Sequence, residues 1–161
     1  MEKQINEKII EIVHQANDMI PVEWDDLYIV IEMDRTYSGE VYFYFKYKNR
    51  YHYHLEMSDD FSLSMMEVLN ENTVLFEKSE ELKKVFVEND LEDWYICIIH
   101  LDEDNKLSVD FDYAPWLESD FGPTARMNYF RYKFLGFEPR DEKELEQFKA
   151  MESFQREHNG K

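Results

Sequence analysis

The sequence predicts a single α+β domain: a five-stranded antiparallel sheet with helices packed on it, in the order α-βββ-α-ββ-α-α. Segments with alternating apolar residues, typical of strands, occur in two runs. Segments with apolar residues at helical spacing precede, separate and follow those runs. The turns between successive strands are short, which requires antiparallel neighbours. Runs of strands with helices between them indicate the α+β class.

The length and composition fit one domain over residues 1–161. A chain of 161 residues, 43% hydrophobic and 16% aromatic, buries about two thirds of its unfolded surface around one core. The sequence contains no linker, internal repeat or low-complexity tract that would separate domains. We expect only the last residues, 159–161, to fray.

The first three elements are a helix and two strands. Apolar residues at helical spacing predict a helix over residues 5–20, and Pro21 ends it because the residue before a proline avoids the α conformation. Alternating apolar residues predict strands over Leu27–Met33 and Val41–Tyr47. The turn at Ser38-Gly39 joins the two strands as an antiparallel pair.

The middle of the chain predicts a third strand and a helical segment. The strand covers Tyr51–Met57, after a turn at Asn49-Arg50. Ser58 to Asp60 provide a cap for the helix-rich segment Phe61 to Asn89. The stretch from Asn70 to Thr73 favours a helix poorly, so one long helix and two shorter helices both remain open.

The second run contains two strands. Over residues 94–99, Trp94, Ile96 and Ile98 on one face alternate with Tyr95, Cys97 and Ile99 on the other, so this strand is central or buried on both faces. In the strand over Leu107–Tyr113, the apolar residues alternate with Ser108, Asp110 and Asp112, which should point outwards.

Two helices complete the chain. Pro123 suits the first turn of the helix that follows the last strand, and Gly136 is the residue type that most often follows the last turn. Asp141 and Glu144 have the spacing of a capping box for a last helix that runs towards His158.

The charge balance restricts the partners of this chain. Eighteen basic and 36 acidic residues give a net charge of −18 at pH 7. This charge argues against binding nucleic acid, whose affinity depends on Lys and Arg that neutralise phosphates, and against binding an anionic membrane. It favours the electrostatic capture of a basic partner. The alternative reading is that the acidic surface serves solubility alone.

The expected location is a reducing cytoplasm. The N-terminus has charges that interrupt every apolar run, so we expect no signal peptide, and no apolar run approaches the roughly 18 residues of a membrane span. The single cysteine, Cys97, excludes an internal disulfide and lies in an apolar strand, as an inert core thiol does.

Few residues suggest catalysis. His52 and His54 share a strand face with a spacing that a metal site can use, but no Cys or further His lies near them in the sequence. Asp110 and Asp112 also share a face, about 6.5–7 Å apart at the strand rise. Such a pair serves glycosidases, yet here more acids surround it, as on a solvated face. We expect no catalytic residue, cofactor or metal; a small hydrolase that uses these groups is the alternative.

One acid-rich stretch exceeds what a solvated surface needs. Eleven acids lie between Glu88 and Asp120, where Lys106 is the one basic residue, and the topology should gather them at one end or face. Large aromatic anchors inside an acidic rim are suited to a basic partner. The expected partner-binding residues are Asp102, Glu103, Asp104, Asp110, Asp112, Tyr113, Trp116, Glu118 and Asp120. Trp116 lies outside every alternating pattern, so it is either a lid over the core or an exposed anchor; we expect the anchor, and we expect Trp24 and Trp94 in the core.

Several dispersed motifs resemble one known family. The segments are Ile20-Pro21 with Trp24, Gly39 to Lys46, Trp94 with the closing Asp112-Tyr113, and a final block with Ser119, Asp120, Phe121, Pro123, Arg126, Tyr132, Lys133, Leu135 and Gly136. In this order they resemble the YezG-type antitoxin, or immunity protein, family. The chain departs from that pattern at Gly122, where a small polar residue is usual, and the residues after Asp141 have no counterpart in it.

The resemblance implies a function that the residues alone do not. It implies a non-enzymatic antitoxin that binds the basic nuclease domain of a cognate secreted toxin, of the LXG or type VII secretion kind, in the cytoplasm of the producing cell. Inhibition by covering the active site and inhibition by remodelling the toxin are both compatible with it. An acidic adaptor without a toxin partner is the third reading.

Overall fold

A computed structural model describes residues 1–159 and confirms the predicted fold class and strand order. The elements are α1 (Glu2–Met19), β1 (Asp26–Met33), β2 (Gly39–Tyr47), β3 (Arg50–Tyr53), α2 (Met57–Asp60), α3 (Met65–Glu88), β4 (Ile96–Leu101), β5 (Leu107–Asp112), α4 (Pro123–Leu135) and α5 (Glu142–Asn159). The strands form one sheet in the order β3-β2-β1-β4-β5, and every neighbouring pair is antiparallel. The outer strands β3 and β5 are therefore the two edges of the sheet.

Helices cover both faces of the sheet. On one face, Ile29, Phe43 and Cys97 pack with residues of α1 and α3, such as Ile12 and Leu82, in one core. Because successive residues of a strand point to opposite faces, the neighbouring positions form a second core on the other face.

The second core lies under α4 and α5. Val30, Tyr42 and Tyr44 of the sheet pack there against Phe130 of α4 and Phe148 of α5. The side of the sheet that the sequence suggested should face solvent is therefore buried where α4 and α5 pack on it.

The third strand is shorter than predicted, because the chain leaves the sheet at His54. This residue is fully buried, its Nδ1 accepts the backbone N–H of Phe43 at 3.2 Å, and its Nε2 lies 2.8 Å from Asn72 Oδ1. These bonds hold the segment after Tyr53 in helical turns rather than in a strand over Tyr51–Met57.

The predicted helical segment contains one long helix, α3. Its cap is Ser64, whose Oγ accepts the N–H of Glu67 at 3.3 Å, and not the predicted Ser58 to Asp60, which belong to α2. The stretch Asn70–Thr73 remains helical, because the hydroxyl of Thr73 donates to the carbonyl of Leu69 and the Asn72 amide contacts His54.

The termini of the last two helices agree well with the sequence. Pro123 is the first residue of α4, and Gly136 follows its end with a left-handed φ of 77°. Asp141 caps α5 through the N–H of Glu144 at 2.9 Å, whereas the Glu144 carboxylate returns to the N–H of Arg140. Asn159 ends α5 with hydrogen bonds of its own, contrary to the expected fraying there, and residues 160–161 lie outside the described residues. Within residues 1–159, no helix is long and apolar enough to cross a membrane.

Candidate partner-binding surface

The predicted interface residues lie along the β5 edge of the sheet, in two groups at its opposite ends. The β4–β5 register pairs Leu101 with Leu107 at one end and Ile96 with Asp112 at the other. Six strand residues separate these ends by about 17 Å. The first group is the turn between the two strands, Asp102 to Asp104, which we call the hairpin tip. The second group comprises the residues from Asp112 to Asp120, with Asp110 on the strand between the groups.

At the hairpin tip, one acid builds the turn and two are presented to solvent. Asp102 Oδ1 accepts the backbone N–H groups of Asp104 and Lys106, each at 2.9 Å. The bond from Lys106, followed by the one from Asp104, lowers the pKa of the Asp102 carboxyl. Glu103 and Asp104 are exposed at the tip. The accessible charge of this group is therefore that of Glu103 and Asp104, while Asp102 fixes the turn.

Asp112 is a structural acceptor at the other end of β5. Its Oδ2 accepts from Trp116 Nε1 and Gln155 Nε2, both at 2.8 Å, and its Oδ1 accepts from Asn159 Nδ2 at 2.6 Å and from the N–H of Ala114 at 3.0 Å. One carboxylate thus joins β5, the following loop and α5. The prediction that the Asp112 side chain points outwards is wrong, because α5 covers this end of β5.

Trp116 is a core residue and not an exposed anchor. Only 1% of its surface is exposed, and its ring packs against Phe121, Tyr129 and Phe154, with the Phe154 centroid at 4.9 Å. The short 3-10 turn Trp116–Glu118 folds the indole under the loop and against α4 and α5. The prediction of an exposed anchor at this position is therefore wrong.

The other two tryptophans differ from each other. Trp94 is fully buried, which confirms that prediction. Trp24 is only half-buried at the edge of the first core, and its indole N–H donates to Asn17 Oδ1 at 2.9 Å. Trp24 therefore contributes less to the core than the sequence suggested.

The remaining residues of the second group differ in accessibility. Glu118 and Asp120 are exposed, as is Asp110. Glu118 also accepts the hydroxyl of Tyr95 at 2.8 Å. Tyr113 is half-buried beside the first core, and its backbone N–H donates to Asn159 Oδ1 at 2.7 Å.

The histidines that suggested a metal site have structural partners. His52 lies 2.9 Å from Asp60 and stacks on Phe45, while burial lowers the pKa of His54 to about 4. The imidazole of His54 is therefore neutral at physiological pH and serves its two hydrogen bonds. Residues 1–159 contain no group of three His, Cys, Asp or Glu side chains arranged to hold a metal ion.

An apolar patch at the start of α3 was not identified from the sequence. Met65, Met66 and Leu69 are large and exposed, with 72% of the Met66 surface accessible. Exposed methionines of this kind adapt to a partner surface. The sequence shows this patch only as two adjacent methionines. In a helical segment such apolar residues are expected in the core.

Comparisons with known proteins identify the family. Residues 4–149 match the family described as "Immunity protein YezG-like", and the chain therefore belongs to the YezG-like immunity protein family. The match covers all five strands and extends into α5, so the prediction that the resemblance ends at Asp141 is wrong.

Individual relatives have similar lengths. The chain is 30% identical over 155 residues to the type VII secretion system protein EsaG of Staphylococcus aureus, covering 95% of this chain and 94% of the relative. It is also 30% identical over 131 residues to the immunity protein YezG of Bacillus spizizenii, covering 80% and 81%. To the immunity protein YezG of Bacillus subtilis it is 29% identical over 143 residues, covering 84% of this chain and 90% of the relative.

Proposed function

We propose that this protein is a non-enzymatic immunity protein that binds and inhibits a cognate secreted nuclease toxin in the cytoplasm of the cell that makes it. Membership of the YezG-like immunity family supports the antitoxin role, and the name of the S. aureus relative supports a link with type VII secretion. The observation that carries the nuclease assignment is the net charge of −18. A nuclease needs a basic groove to hold its phosphate backbone, and an acidic protein competes for that groove.

The accessible acids indicate how the partner would be captured. Glu103, Asp104, Asp110, Glu118 and Asp120 are all exposed, and they lie along one edge of the sheet. Exposed charges of one sign attract an oppositely charged partner over distances of about one Debye length, roughly 8–10 Å. They should therefore act mainly on the rate of association. Covering the nuclease active site and remodelling the nuclease both remain compatible with this capture.

The hydrolase alternative receives less support. Its proposed acid–base pair would consist of Asp110, which is exposed, and Asp112, whose oxygens accept four hydrogen bonds. A general acid needs a carboxyl group enclosed in a cleft, and the Asp110 side chain is exposed. The adaptor alternative is distinguished by experiment, because an adaptor would leave nuclease activity intact.

The test uses the purified nuclease domain of a secreted toxin taken from the genome that encodes this protein. Association and dissociation rates are measured over a range of ionic strength for the wild type and for Glu103→Lys with Asp104→Lys. We expect association at low salt to slow about tenfold or more and its salt dependence to flatten, with little change in dissociation. Melting should not change, because neither side chain contributes to the core.

The matched control changes the same charge elsewhere. Glu146→Lys with Glu157→Lys alters two exposed residues of α5 by the same total charge. If the tip variant associates as fast as this control, the hairpin tip is not part of the capture surface.

A further inference from the structure

A groove with basic side chains lies on this strongly acidic protein. It runs between α4 and the β2–β3 edge of the sheet and has a volume of about 720 Å³, within the range of ligand sites. Tyr44, Lys46, Tyr51 and Tyr53 form the sheet side. We call it the cationic groove.

The lining of the groove carries more cations than carboxylates. Lys46, Arg50 and Arg131 line it, and Glu56 is the one acid among its lining residues, while the Asp26 carboxylate lies beside it and accepts the Tyr51 hydroxyl at 2.6 Å. Within residues 1–159, none of these three cations makes an ion pair, although acids outnumber Lys and Arg two to one in the sequence. The groove thus differs in sign from the surface around it.

Arg131 has hydrogen-bonding capacity that its surroundings do not use. Its Nε is buried and has no hydrogen-bond partner within the described residues, and its guanidinium lies 4.4 Å from the ring centre of Phe137. Most buried donors in proteins are paired, so the guanidinium is not fully satisfied by its surroundings. Because Nε is itself shielded from solvent, an acceptor supplied from outside would bind the terminal nitrogens of the guanidinium in the lining of the groove. A carboxylate is the acceptor that a guanidinium binds most specifically among protein groups.

The tyrosines add an apolar floor with donors. The rings of Tyr44 and Tyr53 stack with centroids 5.3 Å apart. Burial raises the pKa of Tyr44 to about 12, and burial raises that of Tyr53 as well. Both hydroxyls therefore stay protonated at neutral pH and provide hydrogen-bond donors rather than negative charge.

We propose that the cationic groove receives a protruding acidic segment of the nuclease partner, with a carboxylate on Arg131 and an apolar side chain on the tyrosine floor. This inference rests on the proposed function. A nucleic acid fits less well, because a chain of phosphates would meet the repulsion of the whole protein at −18. One carboxylate on an otherwise basic partner escapes that repulsion.

The position of the groove supports a two-part interface. The register pairs Asp26 with Lys46 and Leu27 with Leu101, so the groove and the hairpin tip lie at the same end of the sheet. They are about three or four strand spacings apart, or 15–19 Å, which one standard interface spans. A partner with a basic surface for the tip and an acidic segment for the groove would dock in one orientation only.

The test removes the groove cations and measures binding to the same nuclease domain. The variants are Lys46→Gln with Arg50→Gln and, separately, Arg131→Gln; the control is Lys143→Gln with Lys149→Gln on exposed positions of α5. We expect the groove variants to bind about tenfold more weakly or worse, mainly through faster dissociation, because each loses a charge-assisted hydrogen bond. The control should stay within about twofold of the wild type.

Long-range charge alone predicts the opposite sign. Removing two cations makes the protein more negative, which should strengthen capture of a basic nuclease. Groove variants that bind as tightly as the control, or more tightly, would therefore overturn the assignment of the groove while leaving the proposed function standing. A wild-type protein that binds no nuclease domain overturns both.

Two further outcomes are decided by the same samples. If light scattering shows a wild-type dimer that the Lys46 and Arg50 substitutions dissociate, a second copy occupies the groove and the assignment is wrong. If Arg131→Gln lowers the melting temperature, the double substitution at the half-buried Lys46 and the exposed Arg50 still tests the groove with an intact fold. A loss of affinity in the variant Lys46→Gln with Arg50→Gln is then sufficient to support the proposal.

Discussion

Replacing Asp112 with alanine should destabilise the fold, although sequence reasoning placed this residue at the partner interface. The substitution removes the acceptor of four hydrogen bonds. Two of the donors belong to fully buried residues, Ala114 and Trp116. Each buried donor left without a partner costs about 1–3 kcal/mol, so the expected loss is about 4 kcal/mol. For a domain of this size, that loss lowers the melting temperature by about 8–16 °C.

The control for this prediction is two residues away. Asp110→Ala removes an exposed carboxylate from the same strand and the same side of the sheet, so its effect on stability should stay within about 0.5 kcal/mol. Thermal and urea unfolding of the two variants and the wild type provide the comparison. If Asp112→Ala has the same melting temperature as Asp110→Ala, the hydrogen bonds of the Asp112 carboxylate under α5 do not stabilise the fold. A loss of nuclease binding by a normally stable Asp112→Ala would restore the interface role.

The remaining stability predictions concern Trp116 and His54. Trp116→Ala should cost about 3–5 kcal/mol of unfolding free energy in urea titrations, because it empties a filled core site; a variant that melts normally but loses nuclease affinity would instead favour an exposed anchor. Burial lowers the folded-state pKa of His54 to about 4, below its ordinary value near 6.5, so the unfolded chain binds more protons between these values. The stability from neutral His54 is complete above pH 6.5 and is lost as the pH falls towards 4. The melting temperature of the wild type should therefore approach that of His54→Gln between pH 7 and pH 5, and a constant difference would count against the buried neutral imidazole.

The sequence predicted the sheet well, because alternation and turn chemistry are local signals. The strand over Leu27–Met33 and the left-handed Gly136 both depend on neighbouring residues only. The predicted third strand failed at His54, whose hydrogen bonds come from Phe43 and Asn72, residues of two other elements. No pattern within Tyr51–Met57 contains that information.

The candidate interface was harder to predict for a related reason. Alternation places Asp112 opposite the apolar residues of β5, and an antiparallel strand often leaves that side to solvent. In this fold α5 returns over the same side, so the position is structural. Trp116 belongs to no periodic pattern, and its burial depends on how the loop folds against Phe154. The hairpin tip was predictable because a turn between two strands is exposed wherever the sheet lies.

The cationic groove could not have been found from the sequence. Lys46 and Arg50 flank the β2–β3 turn, while Arg131 comes from α4, and only the packing of that helix on the sheet brings them together. In the sequence Lys46 and Arg50 form a short basic run with Lys48, but no pattern in the sequence places Arg131 beside them. The structure thus adds a feature whose sign is opposite to that of the overall charge.

The most direct measurement is a titration of nuclease activity. The nuclease domain of a secreted toxin from the genome that encodes this protein is held at fixed concentration with a DNA substrate, and the purified protein is added in steps. Cleavage should stop near a one-to-one ratio, and Glu103→Lys with Asp104→Lys should slow the onset of inhibition. Undiminished cleavage in the presence of a large excess of the wild-type protein would contradict the proposed function.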